Sequence, residues 1–377
     1  MLLLVAACND PPTAFTPADP ELAAAFSVPA TYGLHDTYVR DGIAFLSAWN
    51  AGVIILDVGN GVVGGAPTAP VEITRFPLDI AGHAVQGHAH NSWWFHNPVT
   101  GEARYLFVGQ EGPGALGAQS SGDIYVYDVS TLASPQLVSS YTLAGAGTHN
   151  FWVDEQSQVL FAAYYNGGVV ALDVSGTLPA DLASRELDRV EPGGSGEAYV
   201  WGVMRAADGQ LWATDMLTGL WRLSFADGQF TVTGGGNNVP ERFSSDLWVR
   251  GTTGYSGTWG FRAESGDALL VWNLGGGPTL VRTIVMDGIG TVSDVEVCLD
   301  GTLLLVTTEL GDAEGFRLYD LADDPRDPQF LVEQQIDGGV HTATFAEING
   351  RTYLFAAKNP GLTDPALMIW DVTASRP

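Results

Sequence analysis

Residues 35–58 read HDTYVRDGIAFLSAWNAGVIILDV, and three short strands are spelled out within them. A polar pair, His35-Asp36, opens an alternating run to Arg40. Asp41-Gly42 then supplies the positive φ of a tight hairpin turn, and Ile43–Ser47 and Val53–Val58 follow as apolar runs split by Trp49-Asn50. Alternation and brief apolar runs bounded by turn residues are strand signals, and Asp-Gly fits the twist of a type I′ hairpin. The unit returns seven times. Its opening pairs are His35-Asp36, His90-Asn91, His149-Asn150, Val200-Trp201, Ser245-Asp246, Ser293-Asp294 and His341-Thr342.

A repeat of roughly 40–50 residues built of short strands predicts a β-propeller, because one such unit cannot bury its own faces. Outer strands beginning with Pro follow most units, as in Pro70–Phe76, Pro135–Tyr141 and Pro328–Val332. The last unit lacks one, and Pro20–Val28 has the matching pattern at the other end of the chain. The expected fold is therefore all-β: one seven-bladed propeller over residues 20–377, its ring closed by an N-terminal strand that completes the last blade. The Asp that recurs at the end of third strands (Asp57, Asp128, Asp173, Asp320, Asp371) is expected to cap a turn through its own backbone.

The chain carries 16 basic against 43 acidic residues among its 377, a net charge of −27. Such a surface repels phosphate backbones, so nucleic acid is not an expected partner. Two cysteines, Cys8 and Cys298, give neither a disulfide framework nor a paired-cysteine metal site. Residues 1–8, MLLLVAAC, end as a bacterial lipoprotein signal ends, with Cys8 as the lipidated residue, and 9–19 is a Pro-rich linker. The expected location is extracytoplasmic, lipid-anchored to the bacterial cell envelope, in the periplasm or at the cell surface. Membrane contact is expected through the anchor alone, and the protein as a monomer.

The Val53–Val58 run, the His-Asp/Asn pairs and the Pro-x-Val/Leu outer strands together resemble the LVIVD-repeat proteins, over about His35 to Val372. That resemblance implies a secreted or lipoprotein seven-bladed propeller and says little about chemistry. The fourth repeat departs most, with Val200-Trp201 in place of the polar pair.

First strands of a propeller line its channel, so His35, His90, His149 and His341 are expected on four consecutive blades, forming an arc. Converging imidazoles suit one transition metal ion (zinc, copper or iron), with Asp36, Asn91, Asn150, Asp246 and Asp294 behind them. The competing structural reading ties each pair to its neighbouring blade by hydrogen bonds. His88 and His83 lie near His90, whereas His96 is expected to be incidental. The loops between second and third strands offer a binding mouth: Trp49, Asn50, Glu111, Tyr165, Asn166, Asp215, Trp259, Glu309 and Lys358. The enlarged loop Gly112–Gly122 is a lid or a plain insertion. The leading functional expectation is a module binding a protein, glycan or small molecule at that mouth. The alternative is a metal-dependent enzyme, hydrolase or oxidoreductase, using the histidine arc.

Overall fold

Strands form where the alternation and hairpin turns require them. The computed structural model describes residues 17–28, 33–78, 86–112, 114–196, 198–260, 265–358 and 365–376. In the first repeat, Asp36–Arg40, Ile43–Ser47, Val53–Asp57 and Val71–Phe76 pair in that order as an antiparallel sheet. Asp41 (φ 51°) and Gly42 (φ 72°) take the left-handed conformations of the hairpin. Every later repeat pairs its strands in the same order, and Thr258 pairing with Val292 joins the fifth and sixth sheets. Among the described residues there is no α-helix, only two short 3-10 turns, and no helix long and apolar enough to cross a membrane. The architecture is that of a β-propeller.

The last repeat contributes Thr342–Ile348, Arg351–Ala357 and Leu367–Asp371, and Glu21–Phe26 adds the fourth strand by pairing with Leu367–Asp371. Each innermost strand packs against the innermost strand of the next sheet, and Thr342–Ile348 packs in turn against Asp36–Arg40. The core lies between neighbouring sheets. Ile54, Leu56, Phe355 and Ile369, for instance, share one buried cluster across the last and first repeats. The middle strands are apolar on both faces for this reason, and Ile43–Ser47 is wholly buried. Truncating a ring such as Phe45 or Phe107, each 0 % exposed, to alanine would cost about 3–5 kcal/mol.

The recurring Asp residues are turn caps. Asp57 accepts from the amides of Gly59 (3.0 Å), Gly61 (3.1 Å) and Val63 (2.8 Å). Burial pushes its carboxyl up, but these backbone donors outweigh it and bring the pKa down to about 2. Asp128, Asp173, Asp320 and Asp371 each accept from the amide two residues on.

Candidate active site

The opening pairs sit where the innermost strands are irregular. Pairing shifts register between Ala89 and Asn91, around His90, and between Val200 and Gly202, around Trp201. It shifts again around Ser245-Asp246 and around Ser293-Asp294. A bulge sets two residues opposite one and re-aims a side chain at these four pairs, while His35-Asp36, His149-Asn150 and His341-Thr342 stand at or just before the start of their strands. Two tiers result. The first is a run of rings, His341, His35, His90, His149 and Trp201, with successive centroids 4.3, 4.1, 4.1 and 4.0 Å apart. The second, formed by Asp36, Asn91, Asn150, Asp246, Asp294 and Thr342, lines a cavity below it.

The tie between repeats holds for some of these residues. His149 Nδ1 bonds the Trp201 carbonyl (2.6 Å), Ser245 donates to the Val292 carbonyl (2.7 Å), and Ser293 to the Val340 carbonyl (3.3 Å). His341 is engaged otherwise, its Nδ1 2.8 Å from Glu309 Oε2 and its Nε2 3.0 Å from His35 Nε2. Neither nitrogen of His90 has a partner in hydrogen-bond geometry, although the residue is 1 % exposed. Unpartnered buried polar atoms are costly and uncommon.

Glu111 faces those nitrogens. Its Oε2 lies 3.6 Å from His35 Nε2 and 3.8 Å from His90 Nε2, while its Oε1 accepts from the Tyr165 hydroxyl. His35, His90 and Glu111 each offer one ligand atom, all within 4.8 Å of one another. Two imidazoles and a carboxylate are a donor set for zinc or a related ion. His149 and His341, committed elsewhere, do not share that point.

Electrostatics divides the tier. Burial, then repulsion from neighbouring imidazolium, holds His35 and His149 well below the ordinary range and His90 at about 3, so all three are neutral. Burial also pushes His341 down, but the Glu309 carboxylate overrides it and the pKa is raised. Burial lifts Glu111 to about 7 against the pull of Tyr165 and His341. The one proton shared between His341 and His35 therefore belongs to His341, whose Nε2–H donates to His35.

The expected mouth residues scatter by role. Glu111, Tyr165 and Glu309 join the histidines and are buried. Trp49 stacks between His35 (5.1 Å) and His88 (4.6 Å), and Trp259 lies 4.9 Å from Trp201. Asp215 is a turn cap, accepting from the amides of Tyr199, Leu217 and Thr218. Asn166 anchors the enlarged loop, accepting from the amide and hydroxyl of Ser120. Asn50 is exposed and Lys358 is buried, its backbone joining Leu34 and Ala366. His88, with φ 58°, holds the Glu111 carbonyl (2.9 Å) rather than reaching the cluster. His96 lies by Asp41, far from the tier. Cys8 and His83 fall outside the described residues.

The enlarged loop covers this end. Gly112 pairs with Ser121, Tyr199 donates to the Gly114 carbonyl, and Leu116 packs on Tyr165, Tyr199 and Trp201. The cavity instead reaches the opposite end, past Arg40, Asp41 and the exposed Leu299, and has a volume of about 630 Å³. Sequence reading placed the binding surface at the end where aromatic loops close over the histidines, whereas the cavity opens at the other. The signal it missed is aromatic: Tyr38, Trp93, Trp152 and Trp248 each stand three residues after the first member of a pair and line the cavity.

Neither a family model nor a curated sequence relative matches the chain. Solved structures share its fold. A candidate 6-phosphogluconolactonase from Bacteroides uniformis superposes with a TM-score of 0.62 at 14 % identity, covering 90 % of this chain and 95 % of that one. The periplasmic gluconolactonase of Pseudomonas aeruginosa gives 0.56 at 17 %, covering 92 % and 97 %. A chain of a mitotic checkpoint complex gives 0.62 at 14 %, covering 98 % and 96 %. The expectation of a binding module at the loop mouth is corrected on two grounds. Glu111, Tyr165, Asp215, Glu309 and Lys358, five of the nine residues meant to display it, are buried, and proteins named as gluconolactonases share the fold.

Proposed function

We propose that the chain is a lactonase-type hydrolase whose centre is His35, His90 and Glu111 and whose cofactor is a divalent ion such as zinc. The observation that carries this is that both nitrogens of the buried His90 lack a hydrogen-bond partner while Glu111 Oε2 lies 3.8 Å from its Nε2. Opening a cyclic ester adds water to the carbonyl carbon, breaks its bond to the ring oxygen, and needs a proton on that leaving oxygen. A bound ion would polarise the carbonyl and acidify water. The protein supplies the rest. Tyr165 fixes one oxygen of Glu111, leaving the other turned toward His35 and His90. His341, kept charged by Glu309, holds the proton for the leaving oxygen on the Nε2 that faces His35, and that N–H is released when His35 turns its Nε2 lone pair to a bound ion.

The accompanying reading is a closed ring of seven blades belonging with the LVIVD-repeat proteins, supported by the seven repeats and by the Glu21–Phe26 strand. Lipidation at Cys8 and an extracytoplasmic site go with it, supported by the MLLLVAAC start. A fold neighbour is titled periplasmic.

Elemental mass spectrometry on tag-free protein, with pH-stat hydrolysis of glucono-δ-lactone, tests the centre. About one equivalent of metal, lost together with lactone opening in a still-folded His90→Ala variant, is expected. A parent that takes up no zinc, copper or iron and opens lactone no faster than buffer overturns the proposal.

A further inference from the structure

The cavity beneath the imidazoles has its own chemistry. Asp36, Asp246, Asp294 and Glu296 all line it. Among the described residues lining it Arg40 is the one cation, and Glu155 already holds both ends of that guanidinium (2.5 and 3.1 Å). Backbone and amide donors satisfy only part of the carboxylate capacity: Asn150 Nδ2 reaches Asp246 (2.7 Å), Ala343 N reaches Asp294 (2.8 Å) and Phe345 N reaches Glu296 (3.1 Å). Burial raises all four carboxyls, Asp36 to about 7, and Asp294 repels the other three. On the same wall stands Asn91, 6 % exposed.

The walls above the open end are aromatic. Tyr38 and Trp93 lie 5.4 Å apart and Trp93 and Trp152 5.2 Å apart, with Trp248 in the same lining. Carboxylates alone would suit a divalent metal, which takes oxygen ligands and gains nothing from ring faces. Carboxylates beside several aromatic faces suit an organic ammonium ion, which gains from both charge and ring quadrupole. The volume of about 630 Å³ is that of a small-molecule site.

We infer that this cavity binds a small organic cation, an amine or quaternary ammonium compound, between Asp36, Asp246, Asp294, Glu296 and the rings of Tyr38, Trp93, Trp152 and Trp248. Binding is independent of whether the histidine centre hydrolyses a lactone. An anionic phosphorylated sugar is disfavoured there, since no unpaired cation faces it among the described lining residues.

Tryptophan fluorescence of the whole chain, titrated with choline and with its uncharged isostere 3,3-dimethyl-1-butanol, tests this. Saturable quenching by choline is expected, at least tenfold tighter than by the isostere. Asp294 accepts a hydrogen bond from the Asp246 carboxyl and holds the charge of that pair, so Asp294→Asn keeps an acceptor for Ala343 N and removes a charge, and Trp248→Leu removes a ring. Each is expected to weaken choline at least tenfold while the melting curve stays cooperative. Equal response to both probes, no saturation by choline, or saturation by calcium or magnesium with none by choline overturns the inference. Choline affinity unchanged in both folded variants overturns it too.

Discussion

Replacing Glu309 by Gln asks whether the histidine tier works as a charge-divided centre. In the parent, Glu309 Oε2 sits 2.8 Å from His341 Nδ1, with both residues buried. Gln preserves size and an acceptor but removes the charge that outweighs burial at His341. Leaving a buried charge without its partner costs about 3–5 kcal/mol, so His341 is expected to give up its proton instead and join the neutral imidazoles. If His341 is the general acid, kcat for lactone opening should fall by about 10²-fold or more. Stability gives an independent reading. A His whose folded pKa is raised contributes stability fully present below its unfolded pKa near 6.5, and that contribution is lost as pH rises through the folded value. In the variant burial depresses the pKa, so stability is instead lost as pH falls below about 6.5. The gap in melting temperature between parent and variant should therefore widen from pH 8 to pH 5. Burial, the largest cause of the lowered pKa values of His35, His90 and His149, acts alike in both proteins. Parent-like kcat together with a pH-independent melting gap would refute the role given to this pair.

Metal affinity should rise from pH 5 to pH 8, because Glu111 titrates at about 7 and binds a cation as carboxylate; isothermal titration with zinc in tag-free protein measures it, and a flat profile counts against Glu111 as ligand. Deleting residues 20–28 removes the strand paired with Leu367–Asp371. At about 1 kcal/mol per hydrogen bond lost, with a sheet edge opened, a lower melting temperature and concentration-dependent aggregation are expected by calorimetry and light scattering. Asp57→Ala strips the acceptor from three backbone amides, and at about 1.5–3 kcal/mol for a hydrogen bond to a charged group urea unfolding should show a loss of about 2 kcal/mol or more.

The fold was legible because its periodicity is local. Hairpin residues such as Asp41-Gly42, apolar runs such as Val53–Asp57 and the capping Asp57 each declare themselves within a few positions. The arc of His341, His35, His90 and His149 was legible for the same reason, since one offset within a repeat becomes one tier in the channel. Which members of the arc remain free was not. That depends on contacts between residues 32 to 52 positions apart, His341 with Glu309 and His149 with Trp201, and on bulges that shift register without changing the alternation. Trp201 illustrates the point. It stands where a polar residue was expected, so the fourth repeat read as a departure from the pattern. In the fold, however, its carbonyl occupies His149 and its ring continues the run of imidazoles. The substitution closes the arc on that side and leaves His35 and His90 as the pair that faces Glu111. Repetition thus builds the fold, and the proposed centre lies where the repeats stop being equivalent: Ser245, Ser293 and His149 bond the neighbouring sheet, and His90 does not.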